Sequence, residues 1–261
     1  MIWIRREPHA PPAGARVGGR PVYAVGDVHG CYDLLHALLG EIARDAAGGA
    51  SGAGGGAPPL LVMLGDYVDR GPDTARVLAA LAWLRRSGAV EARLLEGNHE
   101  AVLAMFIDDP AAHPRWLDWG GRETLASYGV AAPEQVDAAA TLRALRDGLL
   151  DAMPVSHYRL LRELELSVRA GDYHFVHAGV RPGVPIAKQA RDDLLWIREE
   201  FLEHERPAKS VVVHGHTWDG DRPTILPHRL GLDTGAYRTG VLTAARITDD
   251  AVEVIQAVRG A

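Results

Sequence analysis

Between Gly65 and Gly71 the chain reads Gly65-Asp66-Tyr67-Val68-Asp69-Arg70-Gly71, two carboxylates and a guanidinium held between glycines. Carboxylate oxygens suit hard or borderline divalent cations. An arginine beside them suits a phosphate, because its planar fork matches phosphate oxygens. Metal ligands next to an anion clamp point to phosphoryl chemistry, although an Asp-rich surface turn would have the same composition. Four further clusters decide between these readings: Gly26-Asp27-Val28-His29-Gly30, Glu96-Gly97-Asn98-His99-Glu100, His177-Ala178-Gly179 and His214-Gly215-His216-Thr217. Asp27 and His29, two positions apart, project to one side of an extended segment. A lone Asp-x-His, or a lone histidine, is more often structural than chemical. Here each cluster ends an apolar β-like run and four of the five contain histidine, so a two-metal site is the economical reading.

The apolar patterning supplies the elements that must position these clusters. Pro21-Val22-Tyr23-Ala24-Val25, the run from Leu60 to Leu64, and Ala92-Arg93-Leu94-Leu95 read as short strands. Between them lie two helical patterns, Tyr32 to Ala46 with Leu34, Leu35, Leu38, Leu39 and Ile42 inward, and Thr74 to Arg86 with Val77, Leu78, Leu81 and Leu84 inward. Strand-helix alternation implies right-handed crossovers and a parallel sheet, whose ligands gather beyond the carboxyl ends of the strands. Residues 101–165, with Trp116, Trp119 and Gly120-Gly121-Arg122-Glu123-Thr124-Leu125, read as a helical elaboration beside the site that either shapes substrate access or only packs. From 166 onward β character returns at 166–169, 173–176, 211–213, 230–232, 241–247 and 252–258, interrupted by a helix-like piece over 191–205. Residues 47–59 are Gly/Ala/Pro-rich and read as a flexible surface insertion. Residues 1–20 read as a loose arm ahead of a single domain over 21–261.

Composition bounds the alternatives. A hydrophobic fraction of 47% and a charged fraction of 24% fit a soluble globular chain. A net charge of −6 leaves no basic field for nucleic acid. Apolar runs are far too short for a membrane span, and no apolar stretch follows the early arginines as a secretory signal requires. Cys31 is the single cysteine, which excludes an internal disulfide and favours a reducing compartment. A cytoplasmic protein is expected.

Taken together, the five clusters resemble the signature motifs of the PPP-family metallophosphatases, the serine/threonine protein phosphatases and their bacterial and phage relatives. The resemblance runs over about residues 21 to 245 and looks closest to the small bacterial and phage branch of lambda-phosphatase type. It implies an α/β, calcineurin-like metallophosphoesterase fold, a central β-sandwich of two mixed sheets flanked by helices, with a helical insertion. It also implies two divalent cations, with Mn²⁺ expected and Fe/Zn as the other fitting pair. Carried over by motif, Asp27 and His29 would bind the first metal, Asp66 would bridge, and Asn98, His177 and His216 would bind the second. A metal-activated hydroxide would attack phosphorus in line. Arg70, and Arg198 in Leu194-Leu195-Trp196-Ile197-Arg198-Glu199-Glu200, would hold phosphate oxygens. For Arg198 the competing reading is a helix-surface residue paired with a glutamate. His99, oriented by Asp69, would protonate the leaving alkoxide, a contribution of roughly 10²–10⁴-fold.

Two departures bear on this reading. Many family members carry arginine immediately before Gly-Asn-His-Glu, where this chain has Glu96. That reverses a charge near the site and bears on phosphate affinity or substrate choice. The eukaryotic C-terminal elements are not recognisable, so no obligatory regulatory subunit is expected. Cys31 is expected to pack, with oxidation near the metals as the alternative. His214 is expected to be structural, with support of a neighbouring metal ligand as the alternative, and Asp233 is assigned no chemistry.

The expected activity is hydrolysis of phosphoserine or phosphothreonine in proteins, with phosphotyrosine as a further substrate. The alternative is a symmetrical diadenosine-tetraphosphate hydrolase, which commonly has alanine where this chain has Asp69. A noncatalytic metal-binding scaffold is the third reading.

Overall fold

β1 (Ile2–His9) and β2 (Val22–Val25) are followed by α1 (Tyr32–Gly49), β3 (Leu60–Met63), α2 (Thr74–Ser87) and β4 (Glu91–Leu94). The computed structural model describes residues 1–260 apart from 13, 50–57, 89, 137 and 205–209. A helical stretch comes next: α3 (Asn98–Asp108), a 3-10 turn (Pro114–Trp119), α4 (Gly121–Ser127), α5 (Ala139–Ala152) and α6 (Val155–Arg162). The second half adds β5 (Ser167–Ala170), β6 (Tyr173–Val176), α7 (Arg191–Trp196), α8 (Glu199–Leu202), β7 (Val211–His214), β8 (Thr224–Leu226), β9 (Arg229–Gly231), α9 (Ala236–Thr239), β10 (Val241–Ile247) and β11 (Val252–Arg259).

These strands form two mixed sheets, ordered β1-β11-β10-β2-β3-β4 and β5-β6-β7-β9-β8. Side-chain alternation along β2 explains the layering. Val22 and Ala24 join Val62, Phe175, Val213 and Leu230 in the core between the sheets. Tyr23 and Val25 instead face a core shared with α1 and α2. On the far side, Val176 and Val212 pack against Leu194, Ile197 and Phe201 of the α7–α8 region. The result is a β-sandwich with helices on both outer faces.

Each sheet contains one parallel triplet, β2-β3-β4 in the first and β6-β7-β9 in the second. The carboxyl ends of the triplets therefore meet at one edge of the sandwich. The sequence places a chemical cluster at five of these strand ends; the sixth, after β9, carries Asp233, which was assigned no chemistry.

Three expectations are corrected. The supposed loose arm over 1–20 contains β1, which pairs antiparallel with β11 from Ile2 opposite Arg259 to His9 opposite Val252. Its charged residues disguise an edge strand: Ile2 and Ile4 pack on the core, while Arg6 bonds Glu253 at 2.7 Å and Glu41 at 2.9 Å. The strand system thus begins at Ile2 rather than near 21. The helix-like piece over 191–205 is broken at Ile197 and Arg198, between α7 and α8; its last residue lies outside the described residues. In the expected insertion over 47–59, residues 47–49 extend α1 and residues 50–57 lie outside the described residues.

Candidate active site

The strand ends enclose a pocket of about 100 Å³ lined by Asp27, His29, Asp66, Arg70, Asn98, His99, Arg198 and His216, with Thr217, Trp218 and Asp233. Every expected site residue lines it except Asp69 and His177, which lie buried directly behind. Backbone bonds between the loops fix their relative height. His29 N–H donates to Asp66 O at 2.8 Å, Gly30 N–H to Tyr67 O at 2.9 Å and Gly215 N–H to His177 O at 2.8 Å.

Among the described residues, the non-glycine positions with positive φ are His29 (42°), Asp66 (50°), Asp69 (69°), Arg70 (68°) and His216 (65°). All five are site residues. Left-handed backbone is unfavourable for such side chains, and it persists where surrounding structure enforces it. Two glycines are required by close approach instead. A Cβ at Gly97 would fall on the Asp66 carboxylate, and one at Gly215 on that of Asp27.

The donor set fits divalent cations. The Nδ1–H groups of His29 and His177 donate to the carbonyls of Val68 and Leu64, each at 2.9 Å. That leaves both Nε2 lone pairs facing the Asp66 carboxylate, at 3.4 and 3.5 Å. His177 Nε2 also lies 2.9 Å from Asn98 Oδ1. Acceptor thus faces acceptor around Asp66, an arrangement that repels unless a cation sits among the atoms. The ligand atoms of Asp66, His177 and His216 lie within 4.8 Å of one another, as do those of His29, Asp66 and His99. Burial holds His29 down to about 3 and His216 down to about 2, so both imidazoles are neutral, as ligation requires. Burial, then the carboxylates of Asp233 and Asp66, push the Asp27 carboxyl well up, which marks a surplus of negative charge at the first metal position.

His99 is built differently. Its Nδ1 lies 2.7 Å from Asp69 Oδ2. Burial would lower its pKa, but the carboxylates of Asp66 and Asp69 outweigh that and raise it above the ordinary histidine value. Asp69 is fully buried, and desolvation raises its carboxyl. Two donors besides His99 hold its carboxylate, Trp116 Nε1–H at 3.1 Å and the Thr124 hydroxyl at 2.8 Å, and its own backbone N–H donates to the Thr124 hydroxyl oxygen at 2.9 Å. Trp116 and Thr124 come from the helical stretch, which therefore braces the acid pair.

The two arginines differ in their restraint. Arg70 donates to Tyr237 Oη at 2.9 Å and its guanidinium lies 4.9 Å from the Tyr237 ring centre. Arg198 lies in the break between α7 and α8 and its Nε donates to His216 Nε2 at 3.1 Å. Its partner is a site histidine rather than a neighbouring glutamate.

Over residues 20–231 the sequence matches the family described as calcineurin-like phosphoesterase. The chain belongs to that family. This calcineurin-like phosphoesterase is 31% identical over 237 residues to "Serine/threonine-protein phosphatase 1" of Salmonella typhimurium, covering 87% of this chain and 92% of the relative. It is 27% identical over 276 residues to "Bis(5'-nucleosyl)-tetraphosphatase, symmetrical" of Dechloromonas aromatica, with the same two coverages of 87% and 92%. A solved structure titled as a putative diadenosine tetraphosphatase matches with a TM-score of 0.60 at 22% identity, covering 96% of this chain and 97% of that one. The chain is thus a hydrolase of phosphoester bonds on the calcineurin-like fold. No helix among the described residues is long and apolar enough to cross a membrane.

The phosphoesterase site also contains residues that sequence reasoning passed over. The Glu100 carboxylate accepts the backbone N–H groups of Asp66, Tyr67, Val68 and Gly97 at 2.8, 2.8, 3.1 and 2.9 Å. Its place within the third cluster along the chain, Glu96 to Glu100, was the available signal. Tyr237 and Trp116 had none, since each reaches the site through tertiary contact. Glu96, expected to add negative charge near the phosphate, does not line the pocket; Arg191 at the start of α7 pairs with it at 2.6 Å. Cys31 is buried, and desolvation pushes its thiol up to about 11, so it packs as an unreactive group. His214 is buried against Phe201 and bonds the Gly215 carbonyl at 2.9 Å, a structural role.

Proposed function

We propose that this enzyme is a metal-dependent phosphomonoesterase acting on phosphoserine and phosphothreonine in proteins, with phosphotyrosine as a further substrate. The observation that carries this reading is the 2.7 Å contact between buried Asp69 and His99. An alkoxide is a poor leaving group and needs a proton from a donor whose pKa lies near neutrality. Asp69 stabilises the imidazolium and fixes the ring so that Nε2 faces the pocket.

Asp27 and His29 would hold the first cation, Asp66 would bridge, and Asn98, His177 and His216 would hold the second. Bound there, two divalent cations supply Lewis-acid activation of water and charge neutralisation. Oxygen and nitrogen donors without thiolate fit Mn²⁺, our proposed metal, and also an Fe/Zn pair. Arg70 and Arg198 would grip phosphate oxygens from two sides of the pocket and orient the ester. A chain whose one cysteine is a buried thiol suits the cytoplasm, where we place it.

The second reading is symmetrical hydrolysis of diadenosine tetraphosphate, favoured by the Dechloromonas aromatica relative at equal coverage. A nucleotide leaving group needs less protonation, so the intact acid pair weighs against it. Initial rates of the Mn²⁺-loaded protein on a phosphoserine peptide and on the dinucleotide, side by side, test the choice. Preference for the peptide is expected; preference for the dinucleotide would overturn it. Absence of metal-dependent turnover on any phosphoester would return the scaffold reading.

A further inference from the structure

A second, open groove of about 550 Å³ adjoins the pocket, lined by Arg70, Leu117, Asp118, Trp119, Arg122, Glu123 and Tyr237, with Gly120 at its base. Arg70 lines both spaces, so whatever extends from a phosphate gripped there can enter the groove. One wall comes from the 3-10 turn and α4, the same segment that supplies Thr124 to Asp69; the other comes from Tyr237 on α9.

The chemistry of the walls is specific. Trp119 is 43% exposed, and its ring meets the edge of Trp196, itself 39% exposed, at 6.3 Å. Trp196 in turn lies edge-on to His216 at 6.3 Å, so aromatic surface runs from the groove to the metal ligands. Asp118 and Glu123 are exposed carboxylates. Arg122 beside them turns its guanidinium away, to the carbonyls of Pro133 and Glu134 at 2.5 and 3.0 Å. Carboxylates flanking an exposed indole attract a cation on a flexible stem, which gains both charge pairing and cation–π contact. The same carboxylates repel a further phosphate.

We propose that this groove is a substrate subsite that takes a lysine or arginine flanking the phosphorylated residue of a protein substrate. The inference rests on the phosphoprotein reading above and adds to it a sequence preference. It also supplies a physical reason for discrimination against polyphosphates, whose additional charges would run alongside Asp118 and Glu123.

The test uses the full chain loaded with Mn²⁺ and phosphoserine peptides of equal length. One carries arginine two positions before the phosphoserine, one carries it two positions after, and one has alanine at both places. An arginine peptide is expected to exceed the alanine peptide in kcat/KM by about fivefold at low salt. The advantage should shrink as ionic strength screens exposed charges. In a D118N/E123Q variant the ratio should fall toward one. Each ratio is taken within one preparation, so a general loss of activity cancels. Equal kcat/KM for all three peptides, or a preference that survives D118N/E123Q, would overturn the subsite and leave the phosphatase reading intact. Turnover of the dinucleotide with all peptides inert would overturn both.

Discussion

Nη2 of Arg70 lies 2.9 Å from Nε2 of His99. A guanidinium only donates, so Nε2 is the acceptor here and the imidazole proton sits on Nδ1, facing Asp69. For His99 to protonate a leaving oxygen from Nε2, Arg70 must turn to another acceptor, and a substrate phosphate is one. The first prediction follows from that exchange. His99→Asn should reduce kcat on an alkyl phosphoserine peptide by about 10²–10⁴-fold. Turnover of p-nitrophenyl phosphate, whose leaving group needs little protonation, should fall far less. Equal losses on the two substrates would remove His99 from the acid role.

The pH profile tests the same pair. An acid works in its protonated form, so kcat/KM on alkyl esters should decline as pH rises through the His99 pKa. Asp66 and Asp69 outweigh burial and hold that pKa above its ordinary value of 6.5, which places the limb on the alkaline side of 6.5. Asp69→Asn withdraws one of the two carboxylates, and the limb should move to lower pH. A limb that stays in place would show that it belongs to another group.

Asp66 stands between the two groups of expected ligands, its carboxylate 3.4 Å from His29 Nε2 and 3.5 Å from His177 Nε2. Asp66→Asn should abolish turnover and lower the metal content of the purified protein, read by elemental analysis. A fully loaded, active variant would be incompatible with a bridging role.

Glu100 is expected to matter for stability rather than chemistry. Glu100→Ala leaves four buried N–H groups without their acceptor, a loss of about 3–5 kcal/mol. For a chain of this size that lowers Tm by roughly 10 °C. Thermal and urea unfolding of the metal-free variant would measure it, and a shift within about 1 °C would mean that water replaces the carboxylate.

Metal affinity offers a further check on loop spacing. Gly215→Ala places a methyl on the Asp27 carboxylate, which also accepts the His216 N–H at 3.0 Å, so the contact reaches residues assigned to both cations and binding should weaken overall. Titration of Mn²⁺ into the metal-free variant should then show lower affinity than in the unaltered chain; unchanged affinity would refute the assignment of Asp27.

Much of this arrangement was legible in the sequence because its parts are local. A strand that runs Leu60-Leu61-Val62-Met63 and ends in Gly65-Asp66 announces both its burial and its exit loop. β1 was not legible, since Ile2-Trp3-Ile4-Arg5-Arg6-Glu7-Pro8-His9 lies at a sheet edge and pairs with a strand at the opposite end of the chain. The break at Ile197-Arg198 was hidden because an amphipathic pattern carries across it. Trp116, Thr124 and Tyr237 could not be assigned for a related reason: each meets the site only after helices and sheets have packed. Charge at Glu96 was visible, but the partner that neutralises it, Arg191, was not.

The five left-handed residues have a consequence beyond catalysis. Each costs of order 1–3 kcal/mol relative to a relaxed backbone, and among the described residues all the non-glycine positions of positive φ gather at this site. Arg70 is the only one whose side chain is exposed. There, Arg70→Gly would relax the chain without opening a cavity, raising the melting temperature while releasing the phosphate grip. Thermostability and turnover are therefore coupled with opposite sign at this loop. A search that selected these variants for heat resistance alone would drift toward a sturdier and idle protein, and the position where it gained most would lie on the rim of the active site.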